Sequence, residues 1–449
     1  MTAPARTAAY RALRSIARGF EDLPAALARS RHALDDERDR ALAAEIVTGT
    51  LRWLRSLDFL IERFAQRPLD QIDPEVLIIL RLSLYQLLHL DRVPAAAVVD
   101  DAVDLARAAG RRGATGFVNA VLRSLLRQRH RLPLPHRPAG ADLAAQAAYL
   151  GITHSHPQWL IERWLARYGF EAAEAWARFD NEAPALTVRV NTLRTTVDGA
   201  RETLARDGIE TAPARYAPEG LVIVHGNPLR RPSDGLVFVQ DEASQLVSFV
   251  VAPQPGDRVL DLCASPGGKA TSMAAQMHDR GLLVATDVRP RRLGLLRQTV
   301  RTSGARSIRV LQVPAAGPLP FAPMFDRVLV DAPCSGLGTI RRDPDIRWRR
   351  TPDDLPRLAA AQLALLDRVA SVVRRGGRLV YATCSSEPEE NDDVVERFLN
   401  AHPEFTLVDL RTDRLPDGVR AVVDARGMFR TLPFRHGLEA FFAAALQRV

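Results

Sequence analysis

The stretch VLDLCASPGGKAT, Val259–Thr271, decides the fold of the C-terminal half of the chain. An apolar strand runs here into a glycine-rich turn and then into a helix, so free backbone N–H groups at the helix start can meet a nucleotide-type ligand. A P-loop requires G-x-x-x-x-G-K-[ST], but Cys263 stands five residues before Gly268 and Ala270 follows Lys269. The dinucleotide fingerprint G-x-G-x-x-G is also absent. The turn therefore suits a ligand with a carboxylate and an amine rather than a diphosphate.

Strands and helices alternate from about residue 246 onward, which predicts a Rossmann-like open parallel sheet covered on both faces. Apolar runs predict the strands Arg258–Cys263, Leu282–Asp287, Ser307–Val313, Asp326–Asp331 and Arg378–Thr383. Two intervening helices and a closing pair of strands are predicted at Arg291–Ser303 and Asp353–Arg374, and at Phe405–Leu410 and Glu439–Gln447. With the expected strand order 3-2-1-4-5, ligands bind beyond the carboxyl ends of the strands.

Candidate functional residues stand where these strands end. Asp287 lies twenty residues after Gly267, where a carboxylate can accept both hydroxyls of a ribose. A helix N-cap explains Asp287 equally well when it is taken alone, and the glycine-rich turn before it favours the ribose role. The three cysteines, Cys263, Cys334 and Cys384, follow strands one, four and five. Because those ends should be neighbours in the sheet, Cys334 and Cys384 are candidate nucleophiles.

Two thiols, an acid and an adenosine-type site together suggest methyl transfer to C5 of a cytosine. C5 is a poor nucleophile until a thiolate adds to C6, which makes C5 enamine-like and able to attack an activated methyl group. Asp331, at the end of the fourth strand, is placed to hold the N3 side of the base and favour the addition. A base inside a helix cannot reach such a thiolate, so the substrate must be a loop or a flipped-out nucleotide.

The chain before residue 246 divides into an all-α region and a mixed region. Residues 1–135 place apolar residues at three- and four-residue spacing without strand-like alternation, which predicts an all-α domain. The stretch RLPLPHRPAG, Arg131–Gly140, has three prolines in ten residues and is typical of a linker. Residues 141–245 predict a small α+β unit, and residues 246–449 the third domain. The strands and the helix of the middle unit are predicted at Leu186–Asn191, Gly220–Gly226 and Thr196–Asp207.

Composition and charge limit the classes of molecule that the protein is expected to bind. Over 449 residues the formal net charge is +8, carried almost wholly by arginine, which favours a polyanionic partner over a merely arginine-rich composition. The segment TIRRDPDIRWRR, Thr339–Arg350, has five arginines and Trp348, which predicts phosphate contacts and a stacking surface for RNA. The cysteines form no Cys-x-x-Cys pair, so we expect no metal and a reducing cytoplasm. We expect no membrane association, because apolar runs of spanning length are absent.

These motifs resemble those of the NOL1/NOP2/Sun family of RNA cytosine-C5 methyltransferases. The resemblance is carried by LDLCASPGGKAT, FVQDEASQLV (Phe238–Val247), DAPCSGLGTIRRDPDIRW and YATCSSEPEEN. It extends over the whole chain, because the N-terminus is similar to the NusB-like domain of the bacterial RsmB/Sun branch. That similarity is carried by ALAAEIVTGTLRWLRSLDFLI (Ala41–Ile61), LRLSLYQLLHLDRVP (Leu80–Pro94) and GFVNAVLR (Gly116–Arg123).

The resemblance implies S-adenosylmethionine as cofactor and a cytosine of small-subunit (16S) rRNA as substrate. It implies that Cys384 is the covalent nucleophile and that Cys334 assists proton removal or product release, an order that the chemistry of two thiols alone leaves open. The NusB-like domain and the α+β unit would hold the RNA, and we expect a monomer. The implied cofactor-binding residues are Cys263, Ala264, Ser265, Pro266, Gly267, Gly268, Lys269, Asp287 and Asp331.

Two alternatives and one departure from the family pattern qualify this hypothesis. The same chemistry on tRNA or another RNA is one alternative. A non-catalytic RNA-binding assembly factor is the other, against which the intact Cys384, Cys334 and Asp331 argue. After the third strand the family usually has an acidic residue that contacts the adenine, whereas this chain reads VLQVPAAGPLPF with Pro314 near that place. We therefore predict weaker cofactor affinity, or adenine binding by neighbouring backbone.

Overall fold

The N-terminal region is a series of helices, as the apolar spacing predicts. The computed structural model describes residues 2–228 and 235–449 of the chain. Asp73 caps the fifth helix by accepting from the N–H groups of Glu75 and Val76, and Pro74 occupies its first turn. The α-helices described up to residue 179 are α1 (Pro4–Ala17), α2 (Leu23–His32), α3 (Glu37–Arg52), α4 (Leu54–Ala65), α5 (Pro74–His89), α6 (Ala95–Ala108), α7 (Thr115–Gln128), α8 (Leu143–Ala148), α9 (Gln158–Tyr168) and α10 (Phe170–Phe179).

An apolar core joins helices α1 to α7, with residues such as Ile79 completely buried in it. The predicted linker, Arg131–Gly140, is irregular in backbone but attached to its surroundings. Leu132 and Leu134 pack against this core. Arg137 forms ion pairs with two glutamates of α10. The proline-rich stretch is therefore an ordered linker that packs against the helices.

A small antiparallel sheet follows, with strand order β2-β3-β1-β4. The two predicted strands and the predicted helix are confirmed as β1, β3 and α11. The strands β2 and β4 were not predicted, because β4 has only three residues and β2 has the sequence ETAP, in which proline obscures the strand signal. The bounds of these elements are β1 (Thr187–Val190), α11 (Val197–Arg206), β2 (Glu210–Pro213), β3 (Gly220–His225) and β4 (Val237–Val239).

The C-terminal part alternates strands and helices as expected. Its strands are β5 (Arg258–Asp261), β6 (Leu282–Asp287), β7 (Ile308–Gln312), β8 (Phe325–Asp331), β9 (Val373–Thr383), β10 (Phe405–Leu407), β11 (Phe429–Arg430) and β12 (Phe442–Arg448). Its helices are α12 (Glu242–Val251), α13 (Gly268–Gln276), α14 (Pro290–Ser303), α15 (Ile346–Arg349), α16 (Asp354–Ala370), α17 (Asp392–Ala401), α18 (Asp417–Arg420) and α19 (Pro433–His436).

The large sheet has the order β7-β6-β5-β8-β9-β12-β10, with β11 paired to β12. Strands β5 to β9 are parallel, which confirms the expected order 3-2-1-4-5. The closing pair is also confirmed, since β10 and β12 run antiparallel from the Phe405–Arg448 pairing. The boundary between the last long helix and the fifth parallel strand was wrong: the helix predicted to reach Arg374 ends at Ala370, and β9, predicted to begin at Arg378, begins at Val373. Val373 pairs with Phe325 of β8, and the backbone beyond the helix therefore joins the sheet.

Alternate strand residues fill two separate cores on the two faces of this sheet. In β5, Val259 points into a core formed with α12, α13 and α14, whereas Leu260 belongs to a core formed with α16 and α17. The coverage of both faces confirms the predicted three-layer arrangement. Within residues 2–228 and 235–449, no helix combines the length and the apolarity that a membrane crossing requires.

The chain forms two compact units. One comprises Met1–Ala183 together with Ile340–Arg349, and the other comprises Pro184–Thr339 together with Arg350–Val449. The small antiparallel sheet and the large parallel sheet thus share a unit. The three-domain boundaries near residues 135–141 and 245–246 stay a prediction.

The arginine-rich segment Ile340–Arg349 corrects a prediction. Arg347 is completely buried, and its guanidinium donates to the carbonyl oxygen of Ser155 at 2.8 Å and to Oδ1 of Asn181 at 3.1 Å. Trp348 donates through Nε1 to the carbonyl oxygen of Leu51 at 2.6 Å. A phosphate contact is therefore wrong for Arg347, because its buried side chain serves the packing of the helical unit, whereas a stacking role for the half-buried Trp348 stays a prediction.

Candidate active site

The glycine-rich turn connects β5 to α13, which begins at Gly268. Gly267 has a φ of +111°, a conformation that favours glycine, and a Cβ there would lie only 2.9 Å from Cδ1 of Leu296 in α14. A Cβ at Gly268 would lie 3.3 Å from the side chain of Gln240. The glycines thus allow close packing of the turn against its neighbours as well as access for a ligand.

Arg189 of β1 fastens this turn and was missed by the sequence analysis. Its guanidinium is completely buried and donates to Oε1 of Gln240 (2.8 Å), to Oγ1 of Thr271 (2.8 Å) and to the carbonyl oxygen of Gly268 (3.2 Å). Burial lowers the pKa of Arg189 to about 10. The available signal was an arginine inside the apolar strand LTVRVN. A charged side chain rarely occupies such a place unless it is hydrogen-bonded.

Asp261, the last residue of β5, is a second candidate site residue that was not predicted from the sequence. It is 1 % exposed, and neither carboxylate oxygen has a hydrogen-bond partner among the described residues. Burial, reinforced by the negative charge of Asp331, raises the pKa of Asp261 to about 8. A buried carboxylate without a partner is costly, so this one is suited to a cationic or N–H-bearing ligand group. The site therefore fits a cofactor that carries an amine.

Asp287 ends β6, and its place in the structure argues against the N-cap interpretation. Its Oδ1 accepts from the N–H of Arg289 at 2.9 Å, but Arg289 is itself the N-cap residue of α14, and that helix has no side-chain cap among the described residues. Oδ2 of Asp287 lies 3.7 Å from Nε of Arg292. Asp287 also contributes to the raised pKa of Asp261, which shows that the two carboxylates share one region. The ribose role of Asp287 stays a prediction.

Lys269 and Asp331 form an ion pair beside the glycine-rich turn, with Nζ 2.6 Å from Oδ2. Burial by itself lowers the pKa of Lys269, but the attraction of Asp331 and the hydrogen bond to it more than offset burial, so the pKa is raised. The charges of Cys384 and Asp261 add to this effect. Lys269 is therefore a fixed cation that interacts electrostatically with both Asp331 and Cys384.

Two of the three cysteines come together. The Sγ atoms of Cys334 and Cys384 are 3.3 Å apart, in the loops that follow β8 and β9. The hydrogen bond with Cys384, burial and the charge of Cys384 raise the pKa of Cys334 well above its ordinary value. Cys263 differs, because it packs against the core below α16, and burial raises the pKa of its thiol to about 12. Its surroundings favour a packed, unreactive thiol.

The loop after β7 holds Pro314 as expected, and its backbone is fastened by a side chain of α16. The guanidinium of Arg368 donates to the carbonyl oxygens of Pro314 (2.9 Å), Ala315 (3.2 Å) and Gly317 (2.8 Å). These carbonyl groups are therefore already engaged. The effect of Pro314 on cofactor affinity stays a prediction.

Three family models match the chain. The 16S rRNA methyltransferase RsmB/F model matches residues 248–447. The NusB family model matches residues 3–127, and the Methyltr_RsmF/B-like, ferredoxin-like domain model matches residues 156–230. The predicted fold is confirmed: a NusB-like all-α N-terminal domain, a small α+β unit and a Rossmann-like methyltransferase domain.

Relatives of known name align over nearly the whole chain. Two proteins named "Probable ribosomal RNA small subunit methyltransferase B" are 36% identical: the one from Bacillus subtilis over 92% of this chain and 91% of its own length, and the one from Synechocystis over 99% of both. The crystal structure of PH0851 superimposes with a TM-score of 0.79 at 27% identity, covering 100% of this chain and 99% of that one. The chain belongs to the 16S rRNA methyltransferase RsmB/F family, whose methyl donor is S-adenosylmethionine.

Proposed function

We propose that this protein transfers a methyl group from S-adenosylmethionine to C5 of a cytosine in small-subunit rRNA through a covalent Cys384–C6 adduct. The observation that carries the proposal is the pair of thiols 3.3 Å apart at the ends of neighbouring strands, beside the Lys269–Asp331 ion pair. The names of the relatives support small-subunit rRNA as the substrate.

The cofactor would lie along the carboxyl ends of β5, β6 and β8. When bound, S-adenosylmethionine supplies an electrophilic methyl group on a sulfonium. The turn residues Cys263 to Lys269 would hold its amino-acid part, with Asp261 accepting from its amine. Asp287 would accept from the ribose hydroxyls through the oxygen that does not bind the N–H of Arg289. Asp331 would face both this ligand and the cytosine.

The assignment of Cys384 as the nucleophile rests on what surrounds the two thiols. The raised pKa of Cys334 keeps that residue a thiol. The Lys269 ammonium would stabilise a thiolate formed at Cys384. The Cys384 thiolate would then add to C6 of the base, and the electron pair of the C5–C6 double bond becomes available at C5.

Asp331 and Lys269 would act on the ring while the thiolate adds. Cytosine would take a proton from solvent at N3 as the thiolate adds, and the Asp331 carboxylate would accept hydrogen bonds from that N3–H and from the amino group, which stabilises the electron-poor ring. Lys269 would orient Asp331 through the 2.6 Å contact. Both groups are fixed before the substrate arrives, so little reorganisation is needed during the reaction.

Cys334 would complete the reaction. Once Cys384 is bonded to C6, the hydrogen bond and the charge that raise the pKa of Cys334 are gone. Cys334 can then release its own proton to solvent and take the C5 proton. The electrons of the C5–H bond re-form the C5–C6 double bond, and the S–C6 bond breaks with its electron pair returning to Cys384.

Two single substitutions test the assignment. Incubation with labelled S-adenosylmethionine and small-subunit rRNA should give methyl transfer in the unsubstituted protein. Cys384→Ser should abolish both transfer and any covalent adduct, whereas Cys334→Ser should accumulate an RNA–protein species that survives denaturation. The reverse pattern would exchange the two roles.

The choice of RNA defines the rival outcomes. Parallel incubations with tRNA and with total RNA separate an rRNA substrate from another RNA. RNA binding without transfer to any of them would favour the non-catalytic assembly factor. The NusB-like domain and the α+β unit would be the RNA-holding parts in either case.

A further inference from the structure

Glu390 joins the two cysteine loops to each other. It ends a short 3-10 turn (Pro388–Glu390) after β9, and its side chain is completely buried. One carboxylate oxygen accepts from the N–H of Ser335 (2.8 Å) and from Nε2 of Gln362 (2.9 Å). The other accepts from the hydroxyl groups of Ser335 and Ser385, both at 2.5 Å. Ser335 directly follows one thiol and Ser385 the other, so one carboxylate binds the residue next to each cysteine.

The support behind Glu390 comes from α16 and β9. Gln362 of α16 also donates to the carbonyl oxygen of Pro333 at 3.1 Å, on the other side of the first thiol. The hydroxyl group of Tyr381 donates to the carbonyl oxygen of Glu390 at 2.5 Å. Asn391 donates to the carbonyl oxygen of Ser385 at 2.9 Å. The loop positions are therefore set by a connected, buried network, in which each lost bond leaves a buried polar group unpaired.

We propose that Glu390 is a positioning residue that holds the loops of Cys334 and Cys384 at their working separation and, by its negative charge, biases Cys334 toward its thiol form. The proposal rests on the proposed function only where it concerns methyl transfer. Glu390 touches neither thiol through a hydrogen bond, so its effect on the reaction is exerted through the two serines and through its charge.

The charge of Glu390 acts in the same direction as its geometry. The raised pKa of Cys334 has the hydrogen bond with Cys384 as its largest cause, followed by burial and the charge of Cys384, and the negative charge of Glu390 adds to them. The carboxylate itself is stabilised by its four donors. A neutral side chain of the same shape would preserve the geometry and remove the bias.

Glutamine at position 390 separates these two roles. Its carbonyl oxygen can still accept from the Ser335 N–H and from Gln362, and its amide can donate to the two serine hydroxyl groups, which are free to rotate. Alanine at the same position removes the links altogether. Glu396→Ala is a matched control, because Glu396 is exposed and pairs with Arg426 at the surface.

The first measurement needs no RNA. The whole protein is alkylated with iodoacetamide across a pH series, and the modified Cys334 and Cys384 peptides are quantified by mass spectrometry. In Glu390→Gln, the alkylation of Cys334 should reach its midpoint at lower pH, so that its rate near neutral pH rises several-fold relative to the unsubstituted protein and to Glu396→Ala. An unchanged Cys334 profile in Glu390→Gln overturns the electrostatic part of the proposal.

The second measurement is single-turnover methyl transfer with RNA. Glu390→Ala should lower the rate constant at least about a hundredfold with KM for S-adenosylmethionine unchanged, and Glu390→Gln should recover most of it with a shifted pH profile. Transfer by Glu390→Ala within about threefold of the unsubstituted protein overturns the positioning role, as does a Glu390→Gln variant as slow as Glu390→Ala despite an unchanged thermal midpoint. If the unsubstituted protein transfers no methyl group while the alkylation shift is present, the proposed function fails and the link between Glu390 and the thiols stands.

Discussion

As the pH rises, the Asp261→Asn variant should become increasingly more stable than the unsubstituted protein. The same substitution should weaken cofactor binding. The carboxyl group of Asp261 is buried with no hydrogen-bond partner in residues 2–228 and 235–449, and burial raises its pKa to about 8. In the unfolded chain the same group ionises near its ordinary value. Its contribution to stability is therefore fully present below about pH 4 and is lost as the pH rises toward 8. Asparagine does not titrate, so the substitution removes that loss.

The magnitude follows from linkage. Between about pH 5.5 and pH 8 the unfolded carboxyl is ionised and the folded one is protonated, so each pH unit lowers the stability of the unsubstituted protein by about 1.4 kcal/mol. Over this window the stability advantage of Asp261→Asn should therefore grow by about 3 kcal/mol. Urea unfolding of both proteins, without cofactor, at the two pH values measures it. Growth of less than about 0.5 kcal/mol would refute the buried, protonated state.

Cofactor binding provides the second half of the same test. If the amine of S-adenosylmethionine pairs with ionised Asp261, binding near pH 7 must expel nearly one proton from the unsubstituted protein, because the free carboxyl is mostly protonated there. Calorimetric titration in buffers of different ionisation enthalpy counts this proton. Asp261→Asn should bind at least about tenfold more weakly and release none, since it lacks a charge-assisted bond. Equal affinity and equal proton release in the two proteins would place the amine elsewhere.

Three further substitutions probe the rest of the molecule. Arg189→Met should lower the free energy of unfolding by about 2–4 kcal/mol and weaken cofactor binding, because it leaves Gln240 without its buried donor. As a control, Arg206→Met on the exposed side of α11 should change the free energy of unfolding in urea by less than about 0.5 kcal/mol. Pro314→Asp should tighten cofactor binding about tenfold through a charged hydrogen bond to the adenine. An unchanged Kd would contradict the prediction that Pro314 weakens cofactor affinity. Arg347→Met should lower the free energy of unfolding by about 2–4 kcal/mol in calorimetry, relative to an Arg127→Met control at an exposed position. A variant that loses RNA affinity but keeps full stability would instead support the phosphate contact predicted from the sequence.

The large sheet was predictable because its signals are local. Each of the five parallel strands is an apolar run that ends in a polar or small residue, and each occupies its expected place. The topology then brings Cys334 and Cys384 together, although they are fifty residues apart in the chain. Short elements were not predicted, because they give too weak a local signal. A three-residue strand such as Val237–Val239 has too few positions to show alternation.

The surroundings of charged residues were not predictable in this way. Arg347 lies in a run of arginines that is typical of an exposed loop, yet the partners that bury it come from residues more than 150 positions earlier in the chain. Arg189 and Asp261 carried a weak warning, since each interrupts an apolar strand. Only the fold shows that Arg189 has three acceptors, while no described residue donates a hydrogen bond to Asp261.

Two chemically identical side chains can be given opposite tasks only by what surrounds them. Cys384 has the ammonium of Lys269 in its vicinity, whereas Cys334 is under the influence of the Glu390 carboxylate. While both sulfurs are free, the charge of Glu390 favours the protonated form of Cys334. Addition of Cys384 to the base would consume its negative charge and thereby remove the main cause that keeps Cys334 protonated. Bond formation at one sulfur would thus prepare the other as a base, and the order of the two steps would need no separate conformational change.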